Sequence, residues 1–255
     1  MRLGVNIDHL ATLRQLRGTP YPDLLEGVRI IETAGAHQIT MHLREDRRHI
    51  QDKDVHQIRT QTSVQLNLEM AATDFMVRFA NRVRPDWVCL VPEKRQELTT
   101  EGGLDVSRNQ KHLRSVIQKL KKTGIRVSLF IEPSQKAVES SQDLGGDAVE
   151  LHTGRFCLAT QSPPGSRLRS LAQKELLRIE KAARLAQQKG LHVHAGHGFD
   201  YENIRDVVNL GIDATQPNQL PLIEEFNIGH SIICRAALVG LERAVREMVS
   251  AIQAP

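Results

Sequence analysis

The proton-handling residues of this chain recur in one kind of place. Short aliphatic runs end in Asn6, Asp8 and His9, in His42 and Arg44, in Asn67 and Glu69, in Glu150 and His152, in His197 and in His230. Histidine titrates near neutrality, and burial in an apolar run pushes a carboxyl the same way, so these residue types can both take and give protons. Glu69 and Glu150 lie in such runs. The inventory suits general acid–base catalysis by several groups rather than attack by one nucleophile. Arg17 and Arg44 add planar cations, and His49 follows in the charged run LREDRRHI. A guanidinium pairs with phosphate through two parallel hydrogen bonds. Gly196 and Gly198 flank His197, and Gly229 precedes His230. Glycine lets backbone N–H groups come close to an anion, most readily where a helix begins, here near Ser231.

Plainer readings stand beside these. His42 and His197 fit hydrogen-bonded core histidines, and Glu69 and Glu150 fit carboxylates paired with a structural arginine. The LREDRRHI run fits a solvated surface. Cys89, Cys157 and Cys234 sit in apolar contexts and read as packing residues rather than nucleophiles.

The elements that must position these groups can be read from patterning. Strands are expected over 2–8, 38–44, 63–70, 87–92, 126–132, 148–154, 191–198 and 225–230, with helical spacing between them. Leu171, Leu176, Ile179, Ala183 and Ala186 share one helical face, as do Leu241, Val245, Met248 and Ile252. Gly35, Gly124, Gly145 and Gly190 fall where helices should stop. Strand and helix in alternation imply a parallel sheet, and eight such units in 255 residues fit one (β/α)8 TIM barrel with extra helices, a single domain over 1–255. Such barrels work at the C-terminal ends of their strands, where the polar residues lie. Alternation puts His42 with Arg44, and Asn67 with Glu69, on shared faces, and burying them against apolar helices would be costly. They are therefore expected to face inward or upward. Residues 155–170 and 211–223 read as loop-rich insertions. Residues 93–103, polar and ending in Gly102 and Gly103, read as a lid that closes over bound substrate, with Thr99 and Thr100 able to reach a phosphate.

Composition narrows the function classes. The chain is 40% hydrophobic and 25% charged, with net charge +4. One Trp and two Tyr are too few for base-stacking platforms, so nucleic acid is not the expected partner. No apolar run approaches a membrane span, and the N-terminus does not read as a signal peptide. Three scattered cysteines do not make a disulfide framework, and a cytoplasmic location is expected.

Longer motifs carry a family likeness. GVNIDHLATLRQLRGTPYPD at 4–23, HLREDRRHI at 42–50, NLEMA at 67–71 and LVPEKRQELTTEGGLDV at 90–106 resemble the pyridoxine 5′-phosphate synthase family. So do VSLFIE at 127–132, ELHTG at 150–154, AGHG at 195–198 and FNIGHSII at 226–233. The resemblance runs in order along nearly the whole chain. It implies condensation of 1-deoxy-D-xylulose 5-phosphate with 3-amino-2-oxopropyl phosphate to pyridoxine 5′-phosphate, phosphate and water. It also implies a homo-octamer and no metal or organic cofactor. By the same likeness His42, Glu69 and His197 match acid–base groups, and Glu150 matches a carboxylate that assists the transition state. Asn6, Asp8, His9, Arg17, Arg44, His49, Thr99, Gly198, Gly229 and His230 match substrate-contacting positions.

The chain departs from that pattern at His194, where asparagine is expected, and at Phe199, where leucine is usual. Two other functions compete. His192, His194 and His197 form an H-x-H-x-x-H string that would suit a zinc hydrolase on the same barrel. A binding protein that senses a phosphorylated sugar would need the anion site but not the acid–base groups.

Overall fold

The computed structural model describes residues 1–94, 97, 102–211 and 221–253. All eight expected strands form: β1 Arg2–Asn6, β2 Gln38–His42, β3 Gln65–Met70, β4 Trp87–Leu90, β5 Arg126–Ile131, β6 Ala148–His152, β7 His192–Gly196 and β8 Glu225–Ile228. Each pairs in parallel with the next, and β8 pairs with β1, so the sheet closes into a barrel. The surrounding helices are α1 Asp8–Arg17, α2 Leu24–Thr33, α3 Asp52–Gln61, α4 Asp74–Val83, α5 Gln110–Lys121 and α6 Gln135–Leu144. They continue with α7 Gly154–Gln161, α8 Ala172–Gln188, α9 Ile204–Val208, α10 His230–Val239 and α11 Leu241–Gln253. α11 packs on α2, α9 and α10. No described helix is long and apolar enough to cross a membrane.

The period-two pattern of the strands divides apolar from polar. Leu3, Val5, Ile39, Met41, Leu66, Leu68, Val127, Leu129, Val149, Leu151, Val193 and Phe226 are all fully buried, packed in one continuous cluster with apolar residues of the helices. The alternate positions turn inward and are largely polar: Gln38 and Thr40 on β2 reach Asn227 on β8, and Asn227 reaches Glu150 on β6. Those strands are not neighbours, so the bonds cross the barrel interior. Local signals set the helix ends. Asp23, Thr73 and Ser134 accept backbone N–H bonds at the starts of α2, α4 and α6; such caps typically contribute ~1 kcal/mol each. Gly35, Gly124, Gly145 and Gly190 all take positive φ, as expected for glycine beyond a helix end.

Three expectations need correction. The strands are shorter than their apolar runs, so Asp8 and His9 open α1 and Arg44 lies beyond β2. The first part of the 155–170 segment is not loop: α7 forms because Phe156, Cys157 and Ala159 bury one face, and Pro163 and Pro164 follow its end. Cys234 does not pack as core. It is exposed, 3.5 Å from Nε2 of His230, whereas Cys89 and Cys157 are buried. Of the 211–223 segment, 212–220 lie outside the described residues.

Candidate active site

The strands converge on a cavity of about 590 Å3 at their C-terminal ends. One wall is a trio built by three elements. Asp8 opens α1, His42 ends β2 and Glu69 stands near the end of β3; ligand-type atoms of the three lie within 4.8 Å of one another. Asp8 is locked by its neighbours: its Oδ1 accepts the His42 backbone N–H at 2.8 Å, and its own N–H donates to Asn6 Oδ1 at 2.9 Å. Burial raises the Asp8 carboxyl to about 6, against the lowering effect of the His42 N–H. Glu69 is pushed well above the usual carboxylate range by burial, then by the charges of Glu150 and Asp8, with a bond from Asn6 opposing. Several carboxyls sharing one poorly hydrated space cannot all ionise readily, so Glu69 holds its proton more tightly than a free carboxyl does.

Glu93 orients His42. Its Oε1 lies 3.1 Å from His42 Nε2, and its Oε2 accepts the Glu45 backbone N–H at 2.9 Å. Burial raises the Glu93 carboxyl, but these bonds outweigh it and the net effect is lowering. Glu93 therefore stands as the anion that aims the imidazole. In the sequence it looked like an ordinary member of the polar segment after β4, because its partner lies 51 positions away.

Glu150 faces the opposite wall and is raised to about 7, by burial first and then by the charge of Glu225. Asn227 Nδ2 donates to its Oε2 at 2.9 Å. His197 lies beyond β7 in a left-handed conformation, φ 77°. Thr153 Oγ1 donates to the carbonyl oxygens of Gly196 and His197 at 2.8 and 2.9 Å, which fixes that turn. The His197 ring sits 4.9 Å from that of His152, whose Nδ1 is 2.9 Å from Glu132 Oε1. Burial and then the charge of His152 lower the His197 pKa, so the imidazole is neutral at pH 7 and able to accept a proton. His152 and Glu132 thus stand behind His197 and support it, and Glu132 has no role in the sequence reading. Period two gave the signal for His152, since it follows Glu150 on the same face of β6.

The third part of the cavity suits an anion. Gly229 caps α10, so the positive end of that helix opens on the cavity beside His230 and Ser231. The His9 ring lies 4.9 Å from that of His230. Among the described residues, His9 Nδ1 and Ser231 Oγ are buried without a hydrogen-bond partner. Gly198, φ 96°, has room for no side chain: a Cβ there would stand 2.8 Å from Cβ of Cys157.

The expected residues thus gather unequally. Asn6, Asp8, His9, His42, Glu69, Glu150, His197, Gly198, Gly229 and His230 all line the cavity. His49 stands behind His42, ring centroids 6.3 Å apart, and burial lowers its pKa to about 4. Arg44 is turned toward Asp46, with Nε 3.3 Å from Oδ1. Arg17 is exposed at the end of α1 and does not line the cavity. Thr99 lies outside the described residues, as do Arg95, Gln96, Leu98, Thr100 and Glu101 of the expected lid. The H-x-H-x-x-H string does not gather around one point. His192 is exposed beside Glu224, His194 is buried against Trp87 and Glu225, and His197 faces the cavity. His194 therefore stands inside the barrel rather than at the rim. Among the described residues the metal-type donor cluster is Asp8, His42 and Glu69.

Solved structures share the architecture. The crystal structure of KGPDC from Streptococcus mutans superposes with TM-score 0.63 at 13% identity, covering 99% of this chain and 97% of that one. A 3-hexulose-6-phosphate synthase gives TM-score 0.60 at 14% identity, covering 99% and 100%. At these identities the likeness concerns the fold alone. Sequence relatives are much nearer. Pyridoxine 5′-phosphate synthase of Geotalea daltonii is 52% identical over 252 residues, 99% of this chain and 98% of its own length. The enzymes of the same name from Bdellovibrio bacteriovorus and Aquifex pyrophilus are 50% and 49% identical, each over 250 residues. They cover 97% and 98% of this chain, and 96% and 100% of their own lengths. The profile of the family described as "Pyridoxal phosphate biosynthesis protein PdxJ" matches residues 3–254, and with a cavity that unites the acid–base residues its motifs carry, the chain belongs to that family.

Proposed function

We propose that this protein condenses 1-deoxy-D-xylulose 5-phosphate with 3-amino-2-oxopropyl phosphate to form pyridoxine 5′-phosphate, releasing phosphate and water. The observation that carries the reading is the convergence of Glu69, His42, Glu150 and His197 on one cavity that also receives the N-terminus of α10. Joining amine to ketone, expelling water and phosphate, and closing an aromatic ring each require protons to be added at one oxygen and removed from a carbon or nitrogen. A wall of raised carboxyls supplies protons and a neutral His197 accepts them. The α10 terminus with His9, His230 and Ser231 suits the phosphate. The test is incubation of purified protein with both phosphates and detection of pyridoxine 5′-phosphate. No product from active-site-competent protein would refute it.

The likeness to family members carries three further parts of the proposal. The reaction needs no metal or organic cofactor, so protein dialysed against chelator should keep its full rate; loss restored by a divalent ion would refute this. The protein works in the cytoplasm. It assembles as a homo-octamer, consistent with Leu13 and Leu16 on α1, at 52% and 76% exposure, and Leu238 on α10, at 82%. Arg17 lies on that exposed part of α1, so its substrate contact is made in a neighbouring copy. Mixing inactive Arg17→Met subunits with inactive Glu69→Gln subunits should then restore part of the activity, and no restoration in mixed assemblies would remove Arg17 from a shared site.

Arg44 serves the phosphate by turning from Asp46. Replacing it with methionine should weaken phosphorylated substrate by ~10-fold or more in KM, because a charge-assisted hydrogen bond is worth ~1.5–3 kcal/mol. Equal KM in the variant would leave Arg44 as the structural partner of Asp46.

A further inference from the structure

The barrel interior below the cavity holds a second carboxylate that none of the roles above uses. Glu225 on β8 is fully buried, near the N-terminal ends of the strands. Its Oε2 accepts from Arg2 Nε at 3.1 Å and its Oε1 from Gln38 Nε2 at 2.7 Å. The Gln38 amide, also fully buried, gives its second N–H to Asn227 Oδ1 at 3.3 Å. Thr40 Oγ1 donates to that same Oδ1 at 2.8 Å. With its oxygen so engaged, Asn227 must present Nδ2 to Glu150 Oε2, 2.9 Å away. The direction of every bond in the chain is therefore set by its two ends. Each terminal carboxylate accepts, so each amide between them has one allowed orientation.

Two glycines make the chain possible. A Cβ on Gly4 would fall 2.1 Å from Asn227 Oδ1, and one on Gly196 would fall 2.4 Å from Glu150 Oε1. Cys89 Sγ also donates to Oε2 of Glu150, at 3.8 Å, whereas Oε1 has no hydrogen-bond partner among the described residues. The two oxygens of this carboxyl are thus unlike. Oε2 faces two donors, and a proton placed there would confront N–H and S–H groups.

We propose that Glu225 is a positioning residue for Glu150, acting through Gln38 and Asn227 so that Oε2 remains an acceptor and the exchangeable proton resides on Oε1. Proton exchange with bound substrate then runs through Oε1 alone, with the O–H bond broken there as the substrate atom gains the proton, and reformed there on return. The negative charge of Glu225 adds to burial in holding that proton near neutral pH. The groups facing Glu150 are Glu69 from β3, Cys89 from β4, His194 from β7, and Glu225 and Asn227 from β8. Burial lowers the pKa of His194, so it contributes no compensating charge.

The inference rests on the proposed acid–base role of Glu150, and the test separates the two. Profiles of kcat and KM against pH are compared for wild type, Glu150→Gln, Glu225→Gln and Gly4→Ala. Glu225→Gln keeps an oxygen toward Gln38 and loses the charge and the bond from the partly exposed Arg2. The profile limb due to Glu150 should move acidward by about one pH unit, as expected for removal of a nearby like charge. Gly4→Ala forces Asn227 away from Oε2 from outside the cavity. It should lower kcat by about tenfold, a modest share of a proton-transfer contribution, with KM held within about twofold. A residue that merely packs would change thermal stability and leave the limb in place. Folded Glu225→Gln and Gly4→Ala proteins with the wild-type limb and kcat would overturn the proposal while Glu150→Gln remains inactive. Full activity in Glu150→Gln would instead remove the role on which the inference rests. Should Glu225→Gln not fold, the Gly4→Ala result decides.

Discussion

Glu69→Gln should lower kcat by ~10²–10⁴-fold, the usual contribution of a general acid–base group, while the barrel stays folded. The carboxyl lies deep in the cavity beside Asp8 and His42, and burial with the charges of Glu150 and Asp8 raises it well above its ordinary pKa. Glutamine keeps the shape and the hydrogen-bonding oxygen but cannot exchange a proton. The same substitution should also stabilise the fold at alkaline pH. A carboxyl whose pKa is raised by folding favours the native state at low pH, and that contribution is lost as pH rises through the folded pKa. The neutral amide never incurs the cost of ionising there. Tm measured against pH should therefore show Glu69→Gln above wild type on the alkaline side, with the two curves approaching each other toward acid. A variant with near wild-type turnover would remove Glu69 from the chemistry. A variant less stable at every pH would show that Glu69 is held by structural bonds instead.

His197→Ala should cost ~10²-fold or more in kcat and much less in KM. The ring projects from a left-handed backbone turn that Thr153 holds by two bonds, an arrangement that serves orientation rather than packing. Burial and the nearby His152 lower its pKa, so the neutral base is the dominant form at pH 7. Activity should fall with a single acid limb at a pH below the ordinary histidine value as that base is protonated. A loss confined to KM, with kcat unchanged, would assign His197 to uniform binding.

Much of this architecture was legible in the sequence, for a physical reason. The alternation of apolar and polar residues in strands such as QLNLEM is both the local β signal and the instruction for which face meets the helices. Gly35, Gly124, Gly145 and Gly190 marked the ends of α2, α5, α6 and α8, because a helix end is capped within a few residues. The strand ends were overread because an apolar run continues past the last ladder bond. Nothing in the run at 38–44 says that pairing stops at His42.

The sequence by itself determined the eight-unit barrel and pointed to ten of the residues that line its cavity, from Asn6 to His230. Those properties follow from period, local propensity and family motifs. Tertiary structure alone decided the partners. Glu93 aims His42 from 51 positions away, Asn227 holds Glu150 from 77, and Glu225 joins Gln38 from 187. It also placed Arg17 outside its own chain's cavity and put His194 inside the barrel instead of at the rim. Such pairings depend on barrel closure and on which interior side chains meet across it, and no local pattern encodes a contact between strands that are not neighbours.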